Sequence, residues 1–184
     1  MKRRLALAIA TLLLAGATTA VTASPAAAAP PELCTAEQEA QGAVNDAVAK
    51  GCHADRANSA AARGSKYLER AYSIKDGSHE EEHLINELDQ LSEVAGTAAG
   101  DADNAETAAD AAEYARKAAS VVNGMAKAVS DMTNHTQQDT ARALAAETAY
   151  QAARQISEEG TGRNAALNVA ADTAEKGAQA GIDW

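Results

Sequence analysis

After Pro31 the chain runs 153 residues to Trp184 without another proline. Proline removes a backbone donor and clashes with the preceding turn, so its absence leaves helix unhindered over the whole stretch. The residues that fill it push the same way. From Glu32 onward there are 39 alanines, against 20 residues of the Leu, Ile, Val and Met set and five aromatics, with no phenylalanine anywhere. Strands favour β-branched and aromatic residues, whereas alanine, glutamate, glutamine and arginine are the better helix formers. The expected fold is all-α: an Ala-rich antiparallel helical bundle of about four to six helices with a thin core of small residues. A buried alanine contributes about one methyl, roughly 0.8 kcal/mol, where a buried leucine gives roughly 1.5 to 3. Such helices must pack closely to compensate.

The apolar spacing places the elements. Ala105, Ala108, Ala112, Ala115, Ala119, Val122, Ala126 and Val129 step 3-4-3-4, and Ala111, Tyr114, Ala118, Val121, Met125, Ala128 and Met132 run beside them. Two adjacent seams make a wide apolar face, which marks this as the central helix. Ala54 to Ala71, Leu84 to Ala95, Ala145 to Ile156 and Leu167 to Ala178 supply further faces. Helices are expected at 36–50, 54–76, 79–95, 102–132, 137–159 and 163–180. Their boundaries follow Thr35 with Gln38, Gly77-Ser78 with Glu81 three residues on, Asp101 and Asp103, Thr136, and Thr161. These are glycine stops and side-chain caps.

The first residues carry an address. Lys2, Arg3 and Arg4 precede an apolar run from Leu5 to about Ala17, followed by Val21-Thr22-Ala23 before Ser24. A basic start, a short apolar stretch and a small-x-small site form a secretory signal peptide, and a stretch this short falls below the ~20 residues a spanning helix needs. The expected organisation is a signal peptide at 1–23, a linker at 24–34 and the bundle domain at 35–184. That makes the protein secreted, with no stable membrane insertion after cleavage. Three of the 16 basic residues leave with the signal while all 26 acidic ones remain, so the mature chain stands near −13. Such a surface repels phosphate backbones, which excludes nucleic acid as a natural partner and favours cationic ones.

Cys34 and Cys52 are the only cysteines, and an even number in an exported chain reads as a disulfide. The spacing opposes it: along one straight helix, 18 residues at about 1.5 Å each place the two about 27 Å apart, far beyond the ~7 Å a bridge spans. Either the chain reverses near Gly42, giving two short helices side by side and a bridge within the chain, or the thiols pair between chains or stay free. A bridge closing that loop would contribute roughly 3 kcal/mol in the chain-entropy picture.

His79-Glu80-Glu81-Glu82-His83 is an H-E-x-x-H pattern at the start of an expected helix. Histidines four apart share a helical face and can hold Zn²⁺, with Glu80 as the base that activates a metal-bound water. At motif level this resembles the zincin metalloproteases, and Asp89 stands where some exported members carry a third ligand. The resemblance covers eleven residues and implies a zinc-dependent hydrolase, or a metal-binding protein, with His79 and His83 as ligands. The chain departs from that pattern at Asn86, where the family places the glycine that turns the helix back toward the metal. On a continuous helix Asp89 lies about 120° from His83 and points elsewhere. The same residues also make an ordinary acidic helix start, with His83 able to pair with Glu87 one turn on. His53 and His135 have no ligands near them in sequence and are expected at the surface. No G-x-S-x-G elbow and no phosphate-cradling glycine loop occurs. The leading expectation is therefore a non-catalytic secreted acidic bundle without a cofactor, acting by protein binding or self-association in an extracellular assembly. The zinc hydrolase, with a divalent metal, is the alternative.

Overall fold

The computed structural model describes residues 33–159 and 164–182, so the signal segment 1–23 and the linker up to residue 32 lie outside the described residues. The described chain folds into α1 (Ala36–Gly42), α2 (Asp46–Ile74), α3 (His79–Asp103), α4 (Ala108–Asp131), α5 (Gln137–Glu158) and α6 (Ala165–Ala180). Among the described residues there is no strand, and the six helices pack into one all-α bundle. Two helices are central. α4 lies against α2, α3 and α5, and α2 lies against α1, α3, α4 and α6.

The alanine seam explains the α4 contacts. All eight residues from Ala105 to Val129 in the first seam are buried, while the second alternates between buried Ala111, Ala118, Met125 and Met132 and half-buried Tyr114, Val121 and Ala128. Small side chains let the helix axes approach. At Gly64 of α2 an added Cβ would sit 3.1 Å from Val122 Cγ2 and 3.4 Å from Met125 Sδ, so the α2–α4 crossing uses the missing side chain. Tyr67, Leu88, Met125 and Val122 are the large apolar groups around which the alanines close.

Several boundaries differ from the sequence expectation. The expected first helix, 36–50, is broken: α1 stops at Gly42, a turn passes Ala43 and Val44, and Asn45 caps α2 by accepting from the N–H groups of Ala47 and Val48. α2 therefore starts eight residues before the expected 54. Gly42 lets α1 and α2 approach closely at the reversal, since a Cβ there would lie 3.2 Å from the Ala49 Cα. α3 does not stop at residue 95. It runs through Gly96 and Gly100 to Asp103, because Ala95, Ala98, Ala99 and Ala102 bury a continuous stripe that outweighs the two glycines. Asp101 and Asp103 thus end a helix rather than begin one, and Thr107 caps α4 instead, accepting from the Asp110 N–H. Thr161 lies outside the described residues, and Asn164 is the cap of α6.

Other caps match. Thr35 with Gln38 forms a reciprocal capping box, and Thr136 forms one with Asp139. α2 ends at Ile74 with Lys75 as its cap, and Gly77 adopts φ +82°, a left-handed conformation that favours glycine, in the loop before α3. Ser78 accepts from Glu81 N–H at 3.3 Å, yet the Glu81 carboxylate does not return to Ser78. It is buried and accepts from the backbone N–H groups of Asp76 and Thr133, joining the α2–α3 loop to the α4–α5 loop.

Candidate functional site

A row of arginines on α2 organises the polar interior. Arg56, Arg63 and Arg70 are seven residues apart, so they share one helical face, and each meets carboxylates of α1, α5 or α6. Arg63, 1% exposed, donates through Nε and Nη2 to both oxygens of Glu175 on α6, each at 2.7 Å, while Ser59 donates to the same carboxylate at 2.6 Å. Arg70 makes a similar fork to Asp139 at 3.0 and 2.8 Å, and Arg142 adds a third donor to that carboxylate. Burial alone would raise Asp139, but the Arg70 fork and the Thr136 N–H and hydroxyl hold it well below the ordinary carboxylate range.

At the N-terminal end of the row the chain brings α1, α2 and α6 together. The Cys34–Cys52 disulfide forms, with Cα atoms 5.4 Å apart, because the break after Gly42 folds α1 back along α2. Beside it Arg56 donates through Nη2 to Glu39 Oε1 of α1 at 2.6 Å, through Nε to Asp172 Oδ1 of α6, and through Nη1 to His53 Nδ1 at 2.6 Å. The arrangement sets each group's charge. Since Nδ1 accepts, the His53 proton sits on Nε2 and the ring is neutral. Burial first, and then the Arg56 charge, pushes His53 down to about 3. Burial raises Glu39 to about 7; the Asp172 charge adds to the rise and Arg56 opposes it. Asp55, half-buried on α2, is also raised, by burial and then by Asp103 and Asp172.

A cleft of about 60 Å³ opens on this cluster between α1 and α6, lined by Cys34, Ala36, Glu39, Val169, Asp172 and Lys176 among others. Cys34, Glu39 and Cys52 bring sulfur and oxygen atoms within 4.8 Å of one another. Both sulfurs are spent on the disulfide, so the group is a bridge beside a carboxyl rather than a set of metal ligands.

The sequence candidates fall elsewhere. His79, Glu80 and His83 are exposed on the first turns of α3, 27 or more residues from Cys52 along the chain and at the opposite end of α2 from the disulfide. His83 Nδ1 lies 3.4 Å from Glu87 Oε1, the i,i+4 partner. Asp89 is exposed on the continuous helix, and the grouping of three close ligand atoms among the described residues does not include His79 or His83. His135 is exposed as expected, but His53 is 1% exposed, a correction that follows from the α2 start: extending α2 back to Asp46 turns residue 53 inward beneath α1.

Sequence reasoning missed the arginine row and its partners Glu39, Asp139, Asp172 and Glu175. A signal was present in the seven-residue spacing of Arg56, Arg63 and Arg70. A second missed signal is the absence of Lys and Arg between Lys75 and Arg116, a stretch with twelve acidic residues. The structure puts most of these on α3, which among the described residues packs against α2 and α4. Glu80, Glu82, Glu87, Asp89 and Glu93 are exposed there, and none has a Lys or Arg ion-pair partner among the described residues.

Fold and site together define an all-α bundle stapled by one disulfide and tied internally by buried arginine–carboxylate pairs. Comparison with protein-family models, with curated proteins and with solved structures found no match. Among the described residues no helix is long and apolar enough to cross a membrane.

Proposed function

We propose that the mature protein is a secreted, non-catalytic bundle that binds a basic protein partner through the outer face of α3. The observation that supports this is the division of charge. The buried carboxylates of α1, α5 and α6 each pair with an arginine of α2, while Glu80, Glu82, Glu87, Asp89 and Glu93 of α3 are exposed with no Lys or Arg partner among the described residues. Outside residues 76–115 the mature chain is close to charge balance, so nearly all of its net charge is concentrated on this edge helix and its flanks. A one-signed face steers an oppositely charged partner and disfavours a second copy of itself. The N-terminal export segment and the disulfide fit an oxidising compartment.

The test is affinity capture from the protein's own culture supernatant, comparing wild type with a variant carrying Glu80→Gln, Glu82→Gln, Glu87→Gln, Asp89→Asn and Glu93→Gln. The expected result is a basic protein retained by wild type, released as salt shortens the screening length from about 10 Å to about 3 Å, and not retained by the variant. Equal capture by both proteins would overturn the reading. So would a stoichiometric zinc ion with hydrolytic turnover that His79→Ala abolishes.

A further inference from the structure

The cluster around Arg56 has more negative charge than its donors can serve. Glu39 and Asp172, 1% and 4% exposed, each use one oxygen on the single Arg56 guanidinium. Their other oxygens, Glu39 Oε2 and Asp172 Oδ2, are buried with no donor. His53, facing them from α2, is neutral and brings no compensating charge. Asp55, also on α2, adds a half-buried carboxyl 3.8 Å from Cys34 Sγ, and Lys176 of α6 is exposed at the cleft. With both carboxyls ionised, one guanidinium would face two buried carboxylates, each with a lone oxygen, and uncompensated charge of that kind is costly to bury.

We propose that Glu39 and Asp172 share one proton, and that this proton docks α1 against α6, making the α1–α6 seam a proton-binding site that loosens as the pH rises. Both carboxyl groups are held by the one Arg56 guanidinium, each with a buried oxygen that has no donor, and a proton on one of them is the donor that the cluster lacks. Burial and the neighbouring Asp172 charge both favour that protonated form, placing Glu39 at about 7, so the occupancy changes near neutrality.

The consequence is local because of how α1 is held. It has seven residues, Glu39 and Gly42 are its buried ones, and among the described helices it packs on α2 and α6. The disulfide pins its N-terminal end to Cys52, and the turn after Gly42 pins the other. Loss of the proton sets two carboxylates against each other beside the 60 Å³ cleft, through which water then solvates them. α1 swings away from α6 without leaving the bundle.

Carboxyl ¹³C resonances of Glu39 and Asp172, followed against pH together with hydrogen exchange of the α1 amides corrected for intrinsic rate, test this on the intact oxidised protein. In wild type, Glu39 should titrate near neutrality, and α1 protection should fall by about tenfold per pH unit above that midpoint. Glu39→Gln, whose amide can donate to Asp172 and accept from Arg56, should keep α1 protected across the range. Asp172→Asn should lower the Glu39 midpoint, since the amide donates to it and the competing charge is gone, while burial still holds it up. A wild-type Glu39 that titrates at an ordinary carboxylate value would overturn the proposal. So would α1 protection that does not change with pH.

Discussion

Removing the Arg63 guanidinium while keeping its volume, as in Arg63→Met, isolates what the buried pair with Glu175 does. In the native protein Glu175 accepts two N–H bonds from Arg63 and one from Ser59, with both charged side chains no more than 5% exposed. The variant leaves a buried carboxylate with one hydroxyl donor. Breaking such a pair from one side costs about 3 to 5 kcal/mol, a large share of the 5 to 15 kcal/mol that holds a typical domain together. Removing both charges together, in Arg63→Met with Glu175→Leu, abolishes the desolvation of two ions as well as their attraction. That change is often neutral or stabilising by about 1 to 4 kcal/mol, less about 1 kcal/mol here for the acceptor that Ser59 loses. The double variant should therefore be more stable than Arg63→Met, by roughly 2 kcal/mol or more. Urea unfolding followed by far-UV circular dichroism reads this as a shift of midpoint at constant slope. A cycle in which the two substitutions simply add would refute the reasoning. So would a loss under about 1 kcal/mol for Arg63→Met, since that is the scale of an exposed ion pair.

Replacing Cys34 and Cys52 together by serine should lower stability by roughly 3 kcal/mol for a loop of this length, and alkylation of the intact protein without reductant should add no mass. Gly64→Leu should destabilise by about 1 to 3 kcal/mol or more in thermal melts, because its side chain has nowhere to go at the α2–α4 crossing, whereas a surface Gly124→Ala should gain up to about 1 kcal/mol from propensity. Stability should fall as the pH rises from 4.5 through about 7, since Glu39 binds its proton more tightly folded than unfolded, and Glu39→Gln should flatten that limb in urea midpoints measured across the range. Asp139 acts with the opposite sign. Its folded value lies below the ordinary 3.8, so its contribution is present above that pH and is lost as the pH falls further, and Arg70→Ala should reduce that acid-side loss.

The helical class, the caps at Thr35 and Thr136 and the buried seam from Ala105 to Val129 were all legible in the chain, because each rests on contacts within a turn or two. The reversal near Gly42 was legible only as one of several ways to reconcile two cysteines with a helix between them. Other boundaries were not. Gly96 and Gly100 read as breaks because local propensity disfavours them, yet the stripe of Ala95, Ala98, Ala99 and Ala102 finds α2 and α4 to bury against, and that gain continues α3 to Asp103.

The H-E-x-x-H pattern illustrates the same division. Its residue types and spacing are fixed by the chain, but exposure and partners are not: His79 and His83 face solvent, while Glu81 between them turns inward to hold two loops. Sequence alone determined that this protein would be helical, acidic and dependent on small residues, since propensity, net charge and side-chain volume belong to each residue separately. Only the tertiary structure decided which carboxylates would be buried. Glu39, Asp139, Asp172 and Glu175 look no different along the chain from the exposed acids of α3, and they differ because folding placed a guanidinium of α2 opposite each one. Pairing across more than a hundred residues, as between Arg63 and Glu175, leaves no local trace on either partner.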